Sequence, residues 1–120
     1  MVFFRKHVCL LDPWPQPFQD SLAKLGEDQT VYQNMLGPSE FNVTGNLKTW
    51  TVIDRLHTIS ALTLIINGVE DEAQDECTAP FFEHIPHAKW IQFAKSSHTP
   101  FYEESERYFT ILGGFLTDGY

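Results

Sequence analysis

The 120-residue sequence has little positive charge, few cysteines and no long hydrophobic run. Eight lysine and arginine residues stand against sixteen aspartate and glutamate residues, which gives a formal net charge of −8 at pH 7. This balance argues against nucleic acid as a partner, because binding a phosphate backbone needs clustered lysine and arginine. No stretch approaches the roughly 20 apolar residues of a membrane-spanning helix, so we also expect no membrane partner.

Cysteine is nearly absent, and the two present have no informative spacing. Cys9 and Cys77 form neither a metal-binding motif nor a disulfide framework. Residues 1–7 do not have the pattern of a signal peptide, because the apolar run is short and the charges follow it. We therefore expect buried, reduced thiols in a cytoplasmic protein.

The sequence also has no convincing motif for binding a metal or a cofactor. Glu83, His84 and His87 are the one candidate cluster for a metal, but Pro86 interrupts the helix between the two histidines and spoils their shared face. Histidines near the carbonyl end of a helix are the simpler interpretation. We expect no metal and no cofactor.

The sequence does contain enough apolar residues to form a core, and the pattern of apolar and turn residues changes near Ser60. Hydrophobic residues make up 42% of the chain, including ten Phe, four Tyr and three Trp. Residues 1–59 combine turn signals with short apolar-periodic pieces at 18–25 and 47–56, a pattern typical of small helices joined by loops.

Residues 60–120 have an α/β texture. The apolar run 61–66 predicts a strand buried on both faces of a parallel sheet, ended by Asn67 and Gly68. A helix is expected next, and Pro80 inside its range leaves open a later start that would place Pro80 in the first turn. The predicted elements are a strand at 61–66, a helix at about 75–85, a strand at 89–94 and a helix at about 105–116. This order predicts a βαβα unit.

An acidic loop and a histidine loop follow the two predicted strands. Residues 67–72 come after the first strand, and residues 96–98 come after the second. Because ligands bind beyond the carboxyl ends of parallel strands, where both loops lie, we expect Asp71 and His98 to be within hydrogen-bond reach, or within one rotamer change of it. Such a carboxylate would accept the imidazole Nδ1–H and stabilise the imidazolium. Spacing alone leaves open a solvated acidic turn beside a surface histidine.

Several motifs resemble those of a known family. Gly68-Val-Glu-Asp-Glu72 and Ser97-His98 resemble the acid and histidine loops of proline iminopeptidases and related amino-acid amidases. The segments that are similar to the helical cap of these enzymes are His7-Val-Cys9, Asp12-Pro-Trp-Pro15, Gly37-Pro-Ser-Glu-Phe41, Val43-Thr-Gly45 and Leu47-Lys-Thr-Trp50. The resemblance implies an α/β protein, the C-terminal portion of an α/β-hydrolase. Residues 1–59 would form part of the helical cap, and residues 60–120 the last two parallel strands and helices of the core.

The resemblance also implies an activity and roles for four residues. These enzymes remove an N-terminal residue, often proline, from a peptide or an amino-acid amide with a free N-terminus. By position, Asp71 would be the triad acid and His98 the general base, while Glu40 and Glu72 would bind the substrate's α-ammonium group. Two carboxylates suit a cation because charge-assisted hydrogen bonds are strong. For Glu40, a plain exposed loop glutamate is the alternative.

The nucleophile of that family is absent from this chain. No Gly-x-Ser-x-Gly segment occurs. Ser39 is a near miss, but Phe41 stands where the second glycine belongs, and no strand precedes it. Cys77 has no counterpart role in the family, and we expect it to serve packing.

The missing nucleophile leads us to expect a truncated hydrolase. Its N-terminal half, which could be a separate chain, would carry the serine, and this chain would be inactive alone. The alternative is a non-catalytic fragment that only binds a partner or is an inactive gene product.

Overall fold

The computed structural model describes residues 2–119, and the chain divides into two compact units. Of the described residues, the first unit contains 2–13 and 53–119, and the second contains 14–52. Residues 2–13 thus group with the strands and not with residues 14–52. The assignment of cap and core roles to the two parts of the chain stays a prediction.

Six α-helices and two strands are present within residues 2–119. The helices are α1 (Val2–His7), α2 (Gln16–Glu27), α3 (Thr30–Met35), α4 (Asp75–His84), α5 (Pro100–Glu103) and α6 (Ser105–Asp118), and the strands are β1 (Thr63–Gly68) and β2 (Ala88–Phe93). Two 3-10 helices lie at Asn46–Thr49 and Ile53–Thr58. None of the helices in this part of the chain has the length and apolar character needed to cross a bilayer.

The first unit is built on a parallel pair of strands, as predicted. β1 and β2 run in register from Thr63 opposite Ala88 to Gly68 opposite Phe93. β1 ends later than expected, since Asn67 and Gly68 pair with β2 instead of ending the strand. Within residues 2–119 the sheet has only two strands, and residues 63–66 of β1 are only partly buried. The expectation that β1 is buried on both faces is therefore wrong for this part of the chain.

Helix α4 connects the two strands, and it contains a proline in its interior. The predicted helix at about 75–85 is confirmed, since α4 begins at Asp75, and the alternative of a later start with Pro80 in the first turn is wrong. Pro80 cannot donate a backbone hydrogen bond to the carbonyl of Glu76. The helix nevertheless continues to His84, because α4 packs against both strands and the 3-10 helix at Ile53–Thr58.

The last helix and β2 share an aromatic core. The predicted helix at 105–116 is confirmed as α6, which ends at Gly119 in a left-handed conformation (φ 74°) that glycine adopts without strain. Phe93 of β2 is fully buried, and its ring centroid lies 6.0 Å from that of Tyr108. The Arg107 guanidinium lies 4.2 Å from the centroid of the Phe93 ring. Other buried apolar residues in the described part of the chain include Val8, Cys9, Leu56 and Ile85.

The second unit is a set of short helices. The predicted helix at 18–25 is confirmed as the longer α2. The predicted helical piece at 47–56 is instead two 3-10 helices, because Trp50 is extended and separates them. Gly37 follows α3 with a φ of 115°, which a side chain would strain. The carbonyl of Leu36 then accepts hydrogen bonds from the backbone N–H groups at residues 44 and 45, which closes the loop.

Candidate active site

The acid loop and the histidine loop approach each other closely at the end of the sheet. A Cβ atom added to Gly68 would lie 2.2 Å from the carbonyl oxygen of Ser96 and 2.3 Å from that of Ser97. Only glycine fits there, since real Cβ atoms do not approach backbone oxygens so closely. Beyond Gly68, the N–H of Glu70 donates to the Ser96 carbonyl at 3.1 Å. The backbone itself therefore brings the two loops into contact.

This contact places His98 beside Asp71, as the sequence predicts. Nδ1 of His98 lies 2.8 Å from Oδ1 of Asp71. The side chain of Asp71 is only 5% exposed, whereas that of His98 is 49% exposed. The backbone N–H of Ala73 donates to the same carboxylate at 2.8 Å, and that of Gly68 donates at 3.2 Å. The carboxylate is thus fixed, and the imidazole is held at one nitrogen and accessible at the other.

The protonation states follow from these contacts. Burial alone would raise the pKa of Asp71, but the hydrogen bonds from His98, Ala73 and Gly68 outweigh it and hold the pKa below its ordinary value. An ionised carboxylate can only accept, so Nδ1 of His98 carries a proton, and Nε2 presents its lone pair when the imidazole is neutral. The hydrogen bond to Asp71 raises the pKa of His98, against burial, and the charges of Asp71, Glu72 and Glu103 add to the rise.

Glu72, the predicted substrate-binding residue of the acid loop, lies next to the histidine. Its Oε1 is 3.8 Å from Nε2 of His98, and its side chain is 29% exposed. Its backbone N–H donates to the carbonyl of His7 at 3.0 Å. The structure therefore brings three of the four predicted site residues, Asp71, His98 and Glu72, into one cluster.

The fourth predicted residue, Glu40, belongs to the second unit. Its carboxylate accepts a hydrogen bond from the Tyr32 hydroxyl, and its backbone N–H donates back to that hydroxyl at 3.1 Å. Its convergence with Glu72 on one acidic pocket stays a prediction. Ser39, its neighbour, forms an isolated bridge with Asn42 and does not follow a strand.

An open cleft of about 450 Å³ lies beside the catalytic candidates. Asp71 and His98 contribute to its wall, together with apolar and aromatic side chains that include Ile65, Ile66, Phe81, Phe101 and Tyr108. Cys77 also lines this cleft and is exposed, whereas Cys9 is fully buried. The expectation of buried thiols is therefore correct for Cys9 and wrong for Cys77.

Two glutamates after the histidine loop are site residues that the sequence analysis missed. Glu103 accepts hydrogen bonds from the backbone N–H and the hydroxyl of Ser97, at 2.8 and 2.6 Å. Glu104 accepts from the N–H of Lys95 at 3.0 Å and from the hydroxyl of Ser96 at 2.7 Å. The signal in the sequence is a pair of acids that follows two serines and a histidine.

Asn67 is a third residue whose role is visible only in the structure. It is buried in β1, where its side-chain oxygen accepts from the indole N–H of Trp90 at 2.9 Å and its amide donates to Asp75 at 3.3 Å. The side chain of Gln92 also donates to Asp75, at 2.6 Å. These bonds connect β2 to β1 and to the start of α4, the two elements that flank the acid loop in the sequence.

The cluster has the chemistry of a general base supported by a carboxylate. A half-exposed imidazole with an accessible Nε2 and a buried acid on Nδ1 can accept a proton from a nucleophile and return it to a leaving group. Within residues 2–119, no group of three or more His, Cys, Asp or Glu side chains is placed to hold a metal ion.

The chain is similar in sequence to proline iminopeptidases. It is 32% identical over 114 residues to a proline iminopeptidase of Thermoplasma volcanium and 30% identical over 118 residues to one of Saccharolobus solfataricus. These alignments cover 95% and 98% of this chain, but the chain spans only 38% of the length of each relative. No protein-family model matches the chain.

Solved structures agree with the sequence matches. A proline iminopeptidase from Mycobacterium smegmatis matches with a TM-score of 0.91 and 42% identity, covering 96% of this chain and 38% of that one. The structure of VinJ matches with a TM-score of 0.90 and 37% identity, covering 95% of this chain and 38% of that one. The predicted fold, the C-terminal portion of an α/β-hydrolase, is confirmed.

Proposed function

Because the chain matches the C-terminal part of proline iminopeptidases and has the C-terminal portion of an α/β-hydrolase fold, we propose that it supplies the acid and the base of a serine aminopeptidase. Asp71 is the acid and His98 the base, and the nucleophilic serine comes from the part of the full-length protein outside these 120 residues. The observation that carries the proposal is the 2.8 Å hydrogen bond from His98 to the buried Asp71 at the ends of two parallel strands.

The proposed chemistry uses both nitrogens of His98. Nε2 takes the proton of the serine hydroxyl as its oxygen attacks the substrate carbonyl, and it then gives that proton to the departing amine. Asp71, held by the N–H groups of Gly68 and Ala73, keeps the imidazole in the required tautomer and stabilises the imidazolium. Asp71 does not itself become protonated.

The proposed substrate is a peptide or an amino-acid amide with a free N-terminus. Glu72 lies 3.8 Å from Nε2 of His98, so its carboxylate is close to where the scissile carbonyl must bind. The α-ammonium of an N-terminal residue is one carbon away from that carbonyl, within reach of the same carboxylate. A charge-assisted hydrogen bond to this ammonium favours unblocked substrates. The names of the relatives point to an N-terminal proline.

Replacing Glu72 by glutamine in the full-length protein tests the substrate proposal. We expect kcat/KM for proline arylamide to fall by about ten- to a hundredfold, because a charged hydrogen bond contributes about 1.5–3 kcal/mol. The activity toward N-acetylproline arylamide, which has no ammonium, should change little. Glu76→Gln, at an exposed position in the first turn of α4, is the matched control. Equal losses on both substrates would show that Glu72 supports the structure and does not bind the ammonium.

The pH dependence of hydrolysis tests the assignment of the base. His98 must be neutral to accept a proton, so kcat/KM should be lost as the pH falls through the pKa of His98. Because the contacts of His98 raise this pKa, the loss should centre above about 6.5, the ordinary value for histidine. Measuring kcat/KM for proline arylamide from pH 5 to 9 checks this, and an acid limb centred below that value would contradict it.

A further inference from the structure

We propose that Glu103 is a positioning residue for His98, and that it acts by fastening the histidine loop to the linking segment, residues 7–10. The same segment is hydrogen-bonded to the acid loop. Glu103 therefore links the histidine loop to the acid loop and holds His98 and Asp71 at a fixed separation. This inference rests on the proposed function, because it assigns a further role in the same site.

The carboxylate of Glu103 bridges two parts of the chain that are distant in sequence. Oε2 accepts the backbone N–H of Ser97 at 2.8 Å, and Oε1 accepts both the Ser97 hydroxyl and the backbone N–H of Leu10, each at 2.6 Å. Hydrogen bonds to an ionised acceptor are about twice as strong as neutral ones. Ser97 is fully buried and directly precedes His98, so these bonds fix the backbone from which the imidazole projects.

The linking segment is in turn bonded to the acid loop. Nδ1 of His7 contacts the carbonyl oxygen of Glu70 at 2.8 Å, and the N–H of Glu72 donates to the carbonyl of His7 at 3.0 Å. On the side of the histidine loop, the hydroxyl of Thr99 donates to the carbonyl of Val8 at 3.1 Å. Cys9, within the segment, is fully buried. One short, packed stretch of backbone thus holds both loops that carry the catalytic candidates.

Glu103 and its neighbour Glu104 also differ in whether their charge acts on His98. His98 is surrounded by the carboxylates of Asp71, Glu72 and Glu103, and each favours the protonated imidazole. Glu104 instead forms an ion pair with Arg107 at 3.4 Å, and its hydrogen bonds go to Lys95 and Ser96. Glu103 therefore influences His98 both through the backbone and through its charge, and these two effects can be separated experimentally.

The test is the Glu103→Gln substitution in the full-length protein. Glutamine has one acceptor oxygen and no charge, so it cannot accept all three hydrogen bonds. We expect kcat for proline arylamide to fall by about tenfold or more with KM changed less than about threefold, because the imidazole is displaced from its reactive position. The acid limb of kcat/KM should also move to lower pH, since a negative charge near His98 is lost. Glu106→Gln, at an exposed position of α6, should match wild type.

A second variant keeps the proposal testable if Glu103→Gln fails to fold. Ser97→Ala removes one hydrogen bond to Glu103 but keeps the carboxylate charge and the backbone N–H contact. It should lower kcat by about three- to tenfold while leaving the acid limb in place. An unchanged kcat in Ser97→Ala, or an unchanged kcat and acid limb in folded Glu103→Gln, would overturn the positioning role.

Titration of the His98 imidazole by NMR separates this inference from the proposed function. If the wild-type protein does not hydrolyse proline arylamide, the proposed function fails, but the pKa of His98 can still be compared between wild type and Glu103→Gln. A lower pKa in the variant supports the influence of Glu103 on His98. An identical pKa in the two proteins rejects it, whatever the activity.

Discussion

Replacing His98 by alanine in the full-length protein should lower kcat for proline arylamide by about four to six orders of magnitude. Without the imidazole, the serine hydroxyl keeps its proton as it attacks, and the leaving amine receives none. The buried Asp71 would lose its 2.8 Å hydrogen bond but keep those from the backbone at Gly68 and Ala73, so the fold should survive. A loss of activity without a loss of stability is the expected signature.

The control for this substitution is another histidine of the same unit. His84 is exposed at the last turn of α4, and His84→Ala should leave kcat within about twofold of wild type, as for surface substitutions generally. Circular dichroism and thermal unfolding of both variants establish that they are folded. A folded His98→Ala protein with the wild-type kcat would remove His98 as the base.

Residues 1–120 expressed alone should show no hydrolysis and no cooperative unfolding. No Gly-x-Ser-x-Gly segment is present to form an acyl-enzyme. Most residues of the two parallel strands are only partly buried or exposed within residues 2–119, and parallel sheets are normally covered on both faces. Large apolar side chains are exposed, among them Leu62 (62%), Phe109 (57%) and Leu116 (73%), which favours aggregation over a stable monomer.

Two measurements on the purified 120-residue chain check this. They are thermal unfolding followed by circular dichroism and hydrolysis of proline arylamide, with a His98→Ala preparation as the control for contaminating peptidases. A sharp unfolding transition from a monomer would contradict the expected instability. A stable monomer without hydrolysis would favour the alternative of a non-catalytic binding fragment. Hydrolysis that disappears in the control preparation would contradict the expected inactivity.

Much of the fold and the centre of the site are predictable from the sequence because their signals are local. The apolar runs before Gly68 and before Lys95 predict strands, and chain order alone places Asp71 and His98 at equivalent strand ends. The 2.8 Å contact between these residues was expected on that basis. The motifs that resemble proline iminopeptidases likewise pointed to the class of relatives that the comparisons found.

What the sequence determined by itself was therefore the order of elements and the proximity of Asp71 and His98, since period, turn residues and motifs lie within short stretches. Only the tertiary structure decided how those residues are held. Leu10 and Glu103 are 93 positions apart in the sequence, and His7 and Glu70 are 63 apart, so no local sequence pattern predicts the hydrogen bonds between them. Pro80 remains inside α4 for the same reason: packing against the strands outweighs a local preference that the sequence displays.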